Sequence, residues 1–325
     1  MKSYCWDNKG KEETEKQEFI KKYAEWIENP RQGECPYSDP DAVSSHNYEF
    51  YGEITEFLQD QKQQKKYSNC FDAGWEFEKP ESEKKYPEDR TIALKKSEDD
   101  DEAYLYLTSD QFGFSAIKED ITWSPLKYPY AIYERCYKGD KSLIGDTIWY
   151  TRTIGGSFLW PKVKCVRNWQ SSYNLYRGVD SYIEDRVDLT LYEIKEFYDE
   201  YSVEKDYEKI KDKLSEKGSN LLKYSDAEYI YKWLSIFKCF NTYVDFFCFN
   251  SFVKEEKDGL YYPRDIFTGK SIKENDIKKY RDNKGEKYKF IQKKASKGDL
   301  EDAFNNLMEW TCLRSENIIN LGNKQ

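Results

Sequence analysis

Arg152, Arg167, Arg177 and Arg186 stand out because arginine is otherwise scarce beside lysine in this part of the chain. A guanidinium offers a planar fork that grips phosphate or carboxylate at two points, which an ammonium cannot do. Arg152 precedes Gly155 and Gly156 within the run Ile148 to Pro161, two short apolar stretches hinged on the glycines. Such a pair marks a bulge, a sharp turn or a close approach by another backbone or a ligand. Arg177-Gly178 and Asp185-Arg186-Val187-Asp188 lie just before a predicted helix N-terminus, itself a preferred place for an anion. If chemistry occurs there, the arginines stabilise developing negative charge, and Glu184 or Asp185 is the general base. The competing reading is structural: Asp185 or Asp188 caps the helix and Arg186 pairs with it. For Arg152, ligand and structural readings both stand.

The charge distribution favours the same region. Between Ile121 and Gly178 there are nine Lys/Arg and three Asp/Glu, a local net of +6, which leaves -15 for the rest of a chain whose total is -9. Rings such as Trp123, Tyr128, Trp149, Trp160, Trp169 and Tyr173 are interleaved with these cations. Cations alternating with rings suit a surface that binds phosphates and stacks bases. Alternatively the rings are core and the cations face acidic flanks.

Other chemistries are poorly supplied. The single histidine, His46, sits in a polar, loop-like run and reads as exposed or capping, so a Ser-His-Asp triad has little to rest on. The eight cysteines form no Cys-x-x-Cys pair and read as reduced thiols, and no zinc motif of the usual spacing is present. The acidic run Glu98 to Glu102 lacks the alternating carboxylates and glycine of a calcium loop. Neither metal nor cofactor is expected. The overall acidity argues against a protein that coats nucleic acid or an anionic membrane. No apolar run is long enough to span a bilayer, and the N-terminus lacks a secretory pattern, so the cytoplasm is the expected location.

The elements that must position these residues follow from periodicity. Residues 11–29 and Tyr48–Lys65 read as helices, the second with Ile54, Phe57 and Leu58 on its apolar side. From Phe71 the period becomes two, and Thr91–Leu94, Ala103–Thr108, Phe112–Ile117, Tyr130–Tyr137, Thr147–Ile154 and Ser157–Val163 read as strands. After Asp188 the period is helical. Thr190 with Glu193 predicts a capping box, ahead of a stripe of Leu191, Ile194, Phe197, Tyr198 and Tyr201. An exposed helix ends at Gly218. Tyr229 to Val253 is apolar nearly all round and predicts one buried spine, Gly259–Phe267 an extended link, and Leu300 to Ile319 a final amphipathic helix. The fold class is therefore α+β: a mostly antiparallel central sheet, packed by N- and C-terminal helices. A helical extension over 1–68 precedes a core domain over 69–325.

Several segments resemble a widespread uncharacterised bacterial family. They are Tyr104-Leu-Tyr-Leu, the Gly-Phe-Ser run near Ser115, Arg152-Thr-Ile-Gly-Gly followed by Trp160-Pro161, and Arg177-Gly178. Asp185-Arg-Val-Asp-Leu-Thr-Leu191 and Tyr243-Val-Asp-Phe-Phe247 complete the set, and the match covers roughly Phe71 to Phe267. Trp160 and Ser172-Tyr-Asn174 depart from the family pattern. The resemblance implies one domain of sheet and helices together, and no activity. Two functions are then in view. One is binding, with processing as an extension, of a nucleotide or nucleic acid at the Arg152–Arg186 surface, for which a toxin or phage-defence setting is an association. The other is a non-enzymatic protein–protein interaction module.

Overall fold

The computed structural model describes residues 47–72, 74–78, 92–96, 104–111, 133, 137–151, 153–162, 187–219, 221–223, 227–281 and 296–322, with positions 14, 17, 18 and 21 near the N-terminus. The fold combines helices with antiparallel sheet. Strand β1 (Trp75–Glu78) turns Trp75 and Phe77 inward and Glu76 and Glu78 outward, as a half-buried strand must. It pairs antiparallel with β2 (Ile92–Lys96), which pairs with β3 (Tyr104–Gln111), which pairs with β4 (Ser157–Lys162). The register lines up Phe77, Leu94 and Leu105 across three strands, and Ile92, Leu107 and Pro161 across another three. β4 is buried at every residue from Ser157 to Pro161. A strand covered on both faces reads as a continuous apolar run, as Phe158-Leu159-Trp160 does.

The predicted strand Thr147–Ile154 is not one. It is the end of helix α2 (Lys141–Thr151; α1 is Asn47–Lys62) and a 3₁₀ turn, Ile154–Gly156. Helical winding puts Ile144, Ile148 and Thr151 on one buried side, and the threonines satisfy themselves locally. Thr147 donates its hydroxyl to Leu143 O at 2.7 Å and Thr151 to Ile148 O at 3.1 Å.

Helix α3 (Val187–Tyr201) is buried from Val187 through Tyr198, with the predicted stripe in the core. The capping box is overturned, because the helix begins three residues ahead of Thr190. Thr190 is fully buried with no hydrogen-bond partner for its hydroxyl, and the Ser219 hydroxyl donates to Glu193 from another part of the chain. Asp188 does tertiary work, its Oδ2 accepting from Ile266 N at 2.9 Å. Helix α4 (Tyr207–Glu216) is capped by Asp206, which accepts from Lys209 N, and stops where expected, at Gly218. There φ is 80°, a left-handed conformation glycine adopts without steric cost.

The aromatic spine is broken in two places. It comprises α5 (Ala227–Ser235), α6 (Phe240–Phe246) and a 3₁₀ turn, Phe249–Phe252, with left-handed backbone at Lys238 (φ 61°) and Cys248 (φ 57°). The breaks gather rings that one straight helix would spread around its axis. Phe237 lies 5.1 Å from Phe246 and 5.2 Å from Phe247, and Tyr243 4.8 Å from Phe247. The expected extended link contains the second strand of a hairpin, β5 (Val253–Glu255) with β6 (Tyr261–Pro263). After α7 (Glu274–Arg281), the uninterrupted rod is the C-terminal helix α8 (Lys297–Gly322), which packs on α1, α2 and both later 3₁₀ turns. Ile54, Phe57 and Leu58 of α1 belong to the same core cluster as the sheet and α8.

The strand expected over Phe112–Ile117, most of Tyr130–Tyr137, the acidic run from Glu98, His46 and most of the helix at 11–29 lie outside the described residues. Cys70, Cys239, Cys248 and Cys312 are free thiols. Among the described residues no helix is long and apolar enough to cross a membrane, and no group of three or more His, Cys, Asp or Glu is placed to hold a metal.

Candidate functional site

The glycine hinge is built where α2 meets β4. Position 152 falls between two buried threonines whose hydroxyls bond back into α2. Thr153 Oγ1 also meets Ser315 Oγ at 2.8 Å, and that serine accepts from Gly155 N at 3.0 Å. The preceding residue of α8, Arg314, donates Nη1 to Gly155 O and Ser157 O, both at 2.7 Å, and Nε to Phe247 O at 2.9 Å. Its guanidinium lies 4.0 Å from the Phe249 ring centroid. One side chain thus ties the hinge, the first residue of β4 and the end of the aromatic segment together. Burial pushes its pKa down to about 10, which leaves it a cation at neutral pH.

The close approach expected at the glycine pair is made by the protein itself. A Cβ at Gly155 would lie 2.4 Å from Thr311 O and 2.3 Å from Ser315 Oγ, and one at Gly156 would lie 1.8 Å from Thr151 O. Gly155 and Gly156 are therefore seats for α8 and for the end of α2. Arg152, Arg167, Arg177, Glu184, Asp185 and Arg186 lie outside the described residues. The framework fixes the ends of the stretch that carries most of them, which leaves β4 at Lys162 and enters α3 at Val187. Of the rings in the basic window, Tyr133, Trp149, Phe158 and Trp160 are buried, and Tyr137 and Tyr150 partly so. The four buried rings belong to the core.

Sequence reading missed Arg314 and Ser315, visible only as a polar Arg-Ser pair inside the amphipathic pattern of α8. It also missed a polar cavity of about 380 Å³ lined by Lys66, Asp245, Cys248, Asn250, Asn317, Asn320 and Leu321. Asp245 lies within the Tyr243–Phe247 segment that carries the resemblance. Burial pushes the Cys248 thiol up to about 11, whereas Cys239 is exposed. The thiolate is the reactive form, so iodoacetamide at pH 8 should label Cys239 well ahead of Cys248, read by peptide mass spectrometry. Cys248 labelled as fast as Cys239 in folded protein would contradict this burial. Cys248 keeps its proton in the native state after the unfolded chain has lost it. Its contribution to stability is therefore complete below about pH 9 and lost as pH rises towards about 11.

A sequence model for a family of unknown function, DUF6994, matches residues 56–297, and the chain belongs to that family. No curated protein and no solved structure matches it. The matched span includes the glycine hinge, all of α3 and the aromatic segment, and stops at the start of α8.

Proposed function

We propose that the protein binds a nucleotide or a nucleic-acid end through the basic segments between Ile121 and Arg186. The observation that carries this reading is the local net of +6 from Ile121 to Gly178 in a chain that is otherwise -15. A cationic stretch in an acidic protein recruits a phosphate-bearing ligand to one place while the remaining surface repels it. Burial of Phe158 and Trp160 narrows the reading towards phosphate recognition and away from a long base-stacking track. In this reading Arg152, Arg167, Arg177 and Arg186 grip phosphate. Should turnover accompany binding, Glu184 or Asp185 serves as base.

The test is a thermal-shift series with ATP, GTP and short RNA and DNA oligomers on wild type and Arg152→Ala, each at low and moderate salt. A ligand at a hundred times its Kd stabilises the folded state by about 2.7 kcal/mol. For a chain of this size that is a rise of roughly 4 °C in Tm. The rise should shrink with salt and be absent in a folded Arg152→Ala protein. No shift with any of these ligands would sink the proposal and leave a protein-interaction module as the better reading.

A further inference from the structure

The polar cavity shares no residue with the basic segments. Its wall comes from three separate parts of the chain. Lys66 projects from the 3₁₀ turn after α1 (Lys65–Tyr67), Asp245, Cys248 and Asn250 from the end of the aromatic segment, and Asn317, Asn320 and Leu321 from the last turns of α8. We propose that this cavity binds a small zwitterion of the α-amino-acid class, its ammonium on Asp245 and its carboxylate on Lys66.

Three observations carry the assignment. First, the cavity presents one cation and one anion that do not neutralise each other: among the described residues neither Lys66 nor Asp245 closes an ion pair. The Lys66 ammonium rests 4.6 Å from the Tyr67 ring centroid. The Asp245 carboxylate is held in place by Asn250, whose Nδ2 donates to Oδ1 at 2.6 Å. Second, Tyr67 is only 3% exposed, yet its hydroxyl has no hydrogen-bond partner. That hydroxyl lies close enough to Cys248 and Asp245, two of the residues that line the cavity, to feel both electrostatically. Buried polar atoms are almost always satisfied, so an orphan beside two of the lining residues marks unmet hydrogen-bonding capacity at this wall of the cavity. Third, this wall is held in an uncommon backbone state. Cys248 is left-handed, with Gln61 Nε2 donating to Phe246 O at 2.7 Å and to Cys248 Sγ at 3.6 Å. Strained positions braced in this way are frequent at ligand clamps.

The charges select the ligand class. A nucleotide would set several negative charges against one ammonium and meet repulsion from Asp245. A simple amine would leave Lys66 unanswered, and a simple acid would leave Asp245 unanswered. A molecule carrying both charges on adjacent carbons answers both, with the Asn317 and Asn320 carboxamides, one helical turn apart on α8, available to its carboxylate. The volume lies at the low end of the range for small-molecule sites, about 300–1,000 Å³.

Isothermal titration of the full chain with each of the twenty amino acids is the test. At least one should bind. Its decarboxylated amine and its deaminated acid should each bind about tenfold more weakly or worse, as should the acid to Lys66→Met and the zwitterion to either Lys66→Met or Asp245→Asn. Lys66 is exposed, so Lys66→Met keeps the test decisive if Asp245→Asn disturbs folding. Absence of heat with all twenty overturns the proposal, and so does binding that survives Lys66→Met in a protein with an unchanged Tm. Lys66→Met leaves the Arg152 surface untouched, so its nucleotide response separates failure of this site from failure of that one.

Discussion

Alanine at Gly156 should destabilise the protein by about 3 kcal/mol or more, the upper end of what overpacking costs. The new methyl would sit 1.8 Å from the carbonyl oxygen of Thr151 and 2.5 Å from its carbon, and backbone atoms cannot swing aside as a side chain can. Alanine at Gly155 meets the other neighbour, with Thr311 O at 2.4 Å and Ser315 N at 2.6 Å, and pushes α8 off the hinge. Neither glycine is among the positive-φ positions, so the penalty is steric rather than conformational. Gly52 is the control. It lies inside α1 with nothing within 4 Å of a built Cβ, so Gly52→Ala should stabilise by about 0.5–1 kcal/mol. Urea midpoints for the three variants separate the cases. A Gly156→Ala protein as stable as wild type would show that α2 and β4 are not locked at this turn.

That contrast bears on what was legible in the sequence. Patterns set by one element's own periodicity came through: the alternation in β1, the stripe of α3, the glycine stop after α4 and the apolar side of α1. The glycine pair announced a close approach, but not by what, because its partner, Thr311 to Ser315, is more than 150 residues away in sequence. Thr147–Ile154 failed for the opposite reason. Its β-branched residues favour a strand locally, and packing of α2 on α8 overrides that preference. The aromatic run was read as one helix because hydrophobicity alone does not reveal left-handed breaks at Lys238 and Cys248, neither of them a glycine. Asp245 was seen only as part of a resemblance. Its partners in the cavity, Lys66, Asn317 and Asn320, come from opposite ends of the chain and carry no common spacing.

Arg314 shows how much one such side chain can hold. Replacement by methionine, close in length and apolar, should destabilise by about 3–5 kcal/mol, because it leaves three buried carbonyls, those of Gly155, Ser157 and Phe247, without this donor. Burying a guanidinium is itself unfavourable, as its lowered pKa records, and swapping a buried charge for a hydrophobe is often neutral. The deciding difference is that its hydrogen-bond partners here include backbone carbonyls on two separate segments, which remain when the cation is gone. Lysine should not rescue. A single ammonium cannot reproduce a fork that bridges Gly155 and Ser157 with one nitrogen and Phe247 with another while stacking on Phe249. Chemical denaturation should place Arg314→Lys nearer Arg314→Met than wild type. Amide exchange should accelerate first in α2, β4 and the turn between them, the elements that α8 no longer holds. A lysine variant as stable as wild type would mean that charge alone suffices at the junction, and that the planar geometry of the guanidinium plays no part in joining the sheet to the aromatic segment.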